Sequence, residues 1–452
     1  MLITLLIITS LLLALIIPFY PEFTYTILKI ELILYVAILV KDIAVTRKFT
    51  LLHTWEVAFV FIIWSNMILS AADDHSHLYT NPIVFYLVAN SIVLIAYFNY
   101  HPSKTITNKT ICISSGRNTE LLLFIAISLG LYLYFNYDKV VETLIFGRVL
   151  SKTLGSGSLL TTIIPALGMI LPAIIAYYFK YIIKGNTIFA IILALPIFIY
   201  QFIIATRFQL LFQIFPFFII LGLIKIRKIN FKSICFMVIF AIALGWGSSY
   251  LKENRNYASN DSVRGEYVYA SEKRDDIFYS LADNLSSEGI IEMMSMADDY
   301  YKNHDLEYGK ESAFMLYFWV PRSWWPEKPT PIDHWLIRKY EIVAEEHSTS
   351  VGFLGFLRAD FGWFAILFAL LWGIAIKQCD NYISRTLTTS TPSFSYVFAA
   401  TLYPYIFFAV RSPQTATQQL IFIYFIYLIF KFIFFKKIGN NYANASSNKL
   451  YS

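Results

Sequence analysis

The chain has 452 residues, 57% of them hydrophobic and only 15% charged, with a formal net charge of +6 and a mean hydropathy of +0.58. Soluble domains carry about 25% charged residues. A cytosolic enzyme, a disordered chain and a nucleic-acid-binding module are therefore excluded, and the surplus apolar surface has to face lipid.

A crossing helix needs about 20 mostly apolar residues. On that measure about twelve spans are expected, near 1–20, 23–40, 51–70, 82–98, 119–137, 158–179, 186–205, 208–224, 232–250, 352–376, 394–410 and 418–435. The first lacks a basic leader and a small-residue cleavage site, so it reads as a retained span. The second is the weakest, because Lys29 and Glu31 interrupt it. With the N-terminus in the cytoplasm, the inner connections hold Lys41, Arg47 and Lys48, then Lys104, Lys109 and Arg117, then Lys180 and Lys184. They continue with Lys225, Arg227, Lys228 and Lys232, then Lys377 and Arg385, and the C-terminal end adds Lys431, Lys436, Lys437 and Lys449. The short outer loops offer only Lys139, Arg148, Lys152, Arg207 and Arg411. This asymmetry puts both termini in the cytoplasm and turns much of the net charge into an orientation signal.

The expected organisation is nine spans over 1–250, an exported domain over 251–351, three spans over 352–435 and a polar tail over 436–452. Long loops cross the membrane largely regardless of charge. Within the exported domain Ile277, Leu281 and Leu285 repeat at helical spacing. Pro321, Pro326, Pro329 and Pro331 preclude a continuous helix over 318–335. Asp275–Asp276 and Asp298–Asp299 read as a solvated, helix-prone surface; a hard-cation site would need several convergent oxygens. Asp73, Asp74, His75 and His77 form a loose outer cluster that a polar hairpin explains equally well. Cys112, Cys235 and Cys379 have no paired spacing, so neither a zinc site nor a disulfide framework is expected.

The informative stretch is Val320-Pro321-Arg322-Ser323-Trp324-Trp325-Pro326-Glu327-Lys328-Pro329. Arg322 and Lys328 there suit a clamp for anionic groups, since arginine grips phosphate oxygens in a bidentate way. Trp324 and Trp325 can stack on sugar faces or sit in the headgroup belt. An interfacial anchor with snorkelling charges is the competing reading. Arg358 lies inside an apolar span, where an ionisable group is a functional-site hypothesis by default; pairing with Asp360 or snorkelling are its structural alternatives. Arg207 and Arg411 flank spans at the outer surface, and Arg255 is a further exported cation.

The proline- and tryptophan-rich string, followed by Gly352-Phe353-Leu354-Gly355-Phe356-Leu357-Arg358-Ala359-Asp360-Phe361-Gly362-Trp363, resembles the Wzy-type O-antigen polymerases, the oligosaccharide repeat-unit polymerases of bacterial inner membranes. Ala205-Thr206-Arg207 resembles that family's small-residue-then-Arg turn. The likeness covers most of the chain as architecture but only some 45 residues as motif. It implies an all-α polytopic fold, similar to GT-C glycosyltransferases, of about twelve spans. One large periplasmic domain would lie between the ninth and tenth.

The implied activity is glycosyl transfer at the periplasmic face, moving a growing glycan from undecaprenyl diphosphate onto a lipid-linked repeat unit. The family is thought to need neither a metal nor another cofactor. Its implied partners are the lipid-linked oligosaccharide, membrane lipid, a chain-length regulator and a flippase, with no nucleic acid. Such a site needs fixed positive charge for the departing diphosphate and a base for the acceptor hydroxyl. The expected catalytic residues are Arg322, Arg358, His334 and His347, the two histidines being preferred over His304 because they lie nearer the motif. The expected substrate contacts are Arg207, Arg255, Lys328, Arg411, Trp324 and Trp325. The rivals are an O-antigen ligase, and a flippase or other transporter.

Overall fold

A computed structural model describes residues 2–73, 76–101, 111–114, 118–146, 160–203, 207–226, 229, 278–279, 282, 289–306, 308–317, 320, 324–328, 332, 336, 350–386 and 393–438. The apolar runs become helices, because lipid offers the backbone no partner and a helix satisfies its own N–H and C=O groups. In chain order these are α1 (Leu2–Ile16), α2 (Thr24–Thr46), α3 (Leu51–Ala72, with a π-helical turn at Phe59–Trp64) and α4 (Thr80–Asn99). Then come α5 (Asn118–Phe146), α6 (Leu160–Tyr177), α7 (Thr187–Ile203), α8 (Arg207–Leu221), α9 (Ile290–Tyr301) and α10 (Lys310–Tyr317). The last four are α11 (Gly352–Phe361), α12 (Ala365–Thr386), α13 (Ser395–Arg411) and α14 (Pro413–Phe434).

Seven helical stretches among the described residues are long and apolar enough to cross a membrane, and three shorter apolar helices accompany them. The chain is thus an α-helical, multi-pass membrane protein. The expected ninth span, 232–250, lies outside the described residues, as does most of the helix expected around Ile277. The second span is a continuous helix despite its charges. Glu31 turns inward, where it accepts from Thr9 Oγ1 at 2.7 Å, and Lys29 lies over the Tyr25 ring at 4.5 Å. The expectation of a purely helical chain needs one amendment. Ile111–Ser114 and Phe435–Ile438 form a two-stranded antiparallel ribbon, with Cys112 opposite Lys437.

The tenth expected span is not one helix. Gly362 has φ +55° and ψ −134°, a conformation that essentially only glycine adopts, and it ends α11 so that α12 starts afresh. The 22 residues of α12 rise about 33 Å, enough to cross the hydrocarbon core alone. The ten residues of α11 therefore form a separate short helix beyond its end.

Helices α3, α4, α12 and α13 pack around one another, with α1 on α4 and α6 on α8 and α14. A continuous apolar core runs through them. A smaller cluster of Met293, Ala297, Ile332, Leu336, Val351, Phe356 and Ala359 lies at one end, under α9 and α11. At the opposite end the segment before α3 meets the one after α8. Phe49 N–H donates to the Ile226 carbonyl at 2.8 Å and Ile229 N–H to that of Arg47 at 3.0 Å.

Candidate functional site

The site lies where the loop helices α9 and α10 close over α11. Helix α9 packs on α3, α4 and α11, while α10 packs on α11 and α14. Its sequence, IIEMMSMADDYY, buries Ile290, Ile291, Met293, Met294 and Ala297, so the charges among them cannot all reach water.

Arg358 sits in the last turn of α11 and is 8% exposed. Its Nε and Nη2 donate to Oδ1 and Oδ2 of Asp298, each at 2.7 Å. The Phe85 and Trp363 rings, edge to face with centroids 5.6 Å apart, both lie beside the guanidinium, with centroids 4.7 Å from Cζ. That leaves Nη1, which is buried and has no hydrogen-bond partner among the described residues. The cation is thus fixed by a carboxylate fork and two neighbouring rings, with one donor uncommitted. An anionic oxygen that reached this donor would meet an oriented guanidinium, once the packing over Nη1 opened to admit it. Burial raises the Asp298 carboxyl above its ordinary value, against the pull of Arg358.

Asp360 is not the partner of Arg358. Its Oδ2 accepts from the Ser312 backbone N–H at 2.6 Å and from the Ser312 hydroxyl. An anion at the N-terminus of α10 is well placed against the helix dipole. Asp298, read from sequence as solvated surface, is the true counter-ion, while its neighbour Asp299 does face water and pairs with Lys302 at 3.0 Å.

One and a half turns before Asp298, Glu292 is 8% exposed. Ser70 Oγ on α3 donates to its Oε1 at 2.7 Å, and Oε2 is buried without a partner. Asn66 Oδ1 receives the Ile290 N–H at 3.2 Å, so the start of α9 is fastened to α3 twice. Burial raises the Glu292 carboxyl, Ser70 opposes this, and nearby Asp73 adds to it.

The tryptophan-rich segment is described over Trp324–Lys328, and it is non-helical there as the prolines require. Trp324 is 76% exposed. Trp325 packs on Tyr317 of α10 with ring centroids 5.1 Å apart. Lys328 is buried, and its Nζ donates to the Val320 carbonyl at 3.0 Å, so it ties the segment to itself. Arg411 ends α13, where a cation suits the helix dipole, and its carbonyl accepts from the Ser350 hydroxyl just before α11. Arg207 is the first residue of α8. Arg255, Arg322, His334 and His347 lie outside the described residues. His304 is exposed and stacked on Tyr300 at 4.0 Å. Among the described residues no three His, Cys, Asp or Glu side chains converge on one point.

Sequence reasoning singled out Arg358 but not Asp298 or Glu292. Part of the signal was present: Ile290, Ile291, Met293, Met294 and Ala297 stand on the same helix as the two carboxylates, so that solvating both charges would also expose hydrophobes. Comparison with protein-family models, with curated proteins and with solved structures finds no match.

Proposed function

We propose that the protein is a polymerase of lipid-linked oligosaccharide repeat units of the Wzy type, acting at the periplasmic face of a bacterial inner membrane. The observation that carries this reading is Arg358, a buried, oriented guanidinium with Nη1 uncommitted at the junction of the loop helices and the membrane bundle. A diphosphate leaving group asks for a fixed cation of that kind. The exposed Trp324 beside the proline-rich turn supplies a stacking face for a sugar ring, and Arg411 adds charge at the end of α13.

In the proposed reaction the acceptor hydroxyl oxygen attacks the anomeric carbon of the donor glycan. The bond from that carbon to the diphosphate oxygen breaks, and its electron pair leaves on the lipid diphosphate, which Arg358 and Arg322 stabilise. The hydroxyl proton passes to a base, His334 or His347. Attack opposite the leaving group makes the transfer inverting.

The test is transfer by purified protein in detergent, with lipid-linked repeat units as both donor and acceptor and no ion gradient. Wild type is expected to form a ladder of longer glycans, and Arg358→Ala to insert normally but form none. A wild-type protein that elongates nothing, or an Arg358→Ala variant with a normal ladder, refutes the proposal. In cells, loss of the gene should leave lipid A core carrying one repeat unit; bare core would identify a ligase instead.

A further inference from the structure

Within the bundle, the second turn of α3 carries another buried carboxyl. Glu56 is 2% exposed. Asn90 Nδ2 on α4 donates to its Oε2 at 3.2 Å, and Oε1 is buried with no hydrogen-bond partner. Its chain neighbour Trp55 packs edge to face on Phe353 and Trp372, with centroids 6.1 and 5.9 Å away, and those two rings are tilted on each other at 4.4 Å. Among the described residues no basic group forms an ion pair with Glu56; the pairs present are His53–Asp42, Lys302–Asp299 and Arg358–Asp298.

A carboxylate in such a place must be accompanied by positive charge. A metal cation would need several converging oxygens. Asn90 instead turns its N–H toward Glu56 and the Tyr35 hydroxyl, the latter at 2.9 Å, and its oxygen accepts from Trp55 Nε1 at 2.7 Å. A proton needs only the open Oε1.

His53 lies three residues before Glu56, a spacing that puts Cβ atoms on one helix face about 5–6 Å apart. His53 Nδ1 accepts from the Thr50 N–H at 3.0 Å. Its other nitrogen, Nε2, therefore carries hydrogen and faces Asp42 Oδ2 at 3.1 Å. The Asp42 side chain is 18% exposed. A hydrogen-bonded Asp42–His53 pair thus lies at the rim, one helical turn from the deep carboxyl and on the same face of α3; ionisable groups so placed within membrane helices mark proton relays. The π-helical turn Phe59–Trp64 follows at once, and such turns gather at functional sites.

We infer that Glu56 is a proton-binding site inside the bundle, loaded from the Asp42 end through His53. Among the described residues, other titratable groups at this end on the packed helices include Tyr35 of α2, Tyr97 of α4, Lys377, Cys379 and Asp380 of α12 and Tyr403 of α13. Asp380 is engaged elsewhere, by the Leu51 N–H at 2.8 Å and the Tyr97 hydroxyl. Lys377 lies over the Tyr97 ring at 4.4 Å, and Tyr403 donates to the Phe49 carbonyl at 3.1 Å.

The test uses full-length protein in lipid nanodiscs and dicyclohexylcarbodiimide, an apolar reagent that captures protonated carboxyls as a stable acylurea. Peptide mass spectrometry is expected to find the label on Glu56, declining as pH rises and unchanged when sodium replaces potassium. Glu56→Gln should lose that label together with one carboxylic-acid C=O infrared band. His53→Ala should keep the label but slow deuterium exchange into that band. An unlabelled Glu56 at every pH overturns the inference, and protection by sodium at fixed pH overturns the proton in favour of a metal ion. Should Glu56→Gln fail to insert, the site of labelling in the wild type decides alone. None of these readouts depends on glycan transfer.

Discussion

The Asp298–Arg358 pair fixes the loop helix α9 to α11, and removing one member tests that role quantitatively. Replacing Asp298 with Ala strands a guanidinium whose side chain is 9% exposed. Breaking a buried pair costs about 3–5 kcal/mol. Two features reduce this: the Asp298 side chain is 22% exposed, so water reaches the gap, and the Phe85 and Trp363 rings still face the cation, for about 0.5–2 kcal/mol each. The expected net loss is about 2–3 kcal/mol.

The assay is equilibrium unfolding in mixed micelles, run on Asp298→Ala and as a cycle of Asp298→Leu, Arg358→Leu and the double variant Asp298→Leu/Arg358→Leu. An apolar pair of similar volume should recover much of the loss, giving a coupling of about 1.5 kcal/mol or more. Additive singles, or an Asp298→Ala variant within about 0.5 kcal/mol of wild type, would refute the reading of this pair as a buried clasp.

Three further outcomes are expected. Because burial raises Glu292 above its ordinary 4.5, the folded state holds that proton more tightly than the unfolded chain, and stability falls as pH rises from about 4.5 through the raised value. Glu292→Gln, whose amide oxygen can still accept from Ser70, should remove that decline and leave the protein more stable than wild type on the alkaline side, as a pH series of unfolding midpoints would record. A Cβ on Gly373 would stand 2.3 Å from the Val93 carbonyl oxygen, so Gly373→Ala must push α12 off α4 and cost about 1–3 kcal/mol, read as loss of folded protein on size-exclusion chromatography. Trp324→Ala, at an exposed position, should shift stability by less than about 0.5 kcal/mol yet shorten the glycan ladder; an unchanged ladder would remove Trp324 from the site.

Much of this architecture is written in the one-dimensional pattern, because lipid imposes a simple rule on length and polarity. Runs such as Leu51–Ala72 and Pro413–Phe434 announce themselves as spans. Arg358 was legible for the same reason, as a charge where charge is costly. Its partner was not, since Asp298 is 60 residues away, and local sequence favours the nearer Asp360. The break at Gly362 was hidden too: hydropathy runs on through it, and only backbone conformation divides α11 from α12. His53 and Glu56 were visible inside an apolar run, but their meaning depends on Asp42 and Asn90, which other helices supply.

The interhelical hydrogen bonds also set an order of assembly. Asp380 receives the Leu51 N–H across 329 residues, Tyr86 donates to the Val351 carbonyl across 265, and Ser70 meets Glu292 across 222. A chain emerging from its N-terminus therefore places α3 and α4 in the bilayer long before the groups that complete them exist. Until α9, α11 and α12 arrive, those early helices carry polar atoms that lipid cannot satisfy, each at a cost of several kcal/mol. The first half of the molecule is thus a provisional structure that only the last helices make permanent, and a chain cut short before Gly352 would offer quality-control proteases a bundle with its polar seams still open.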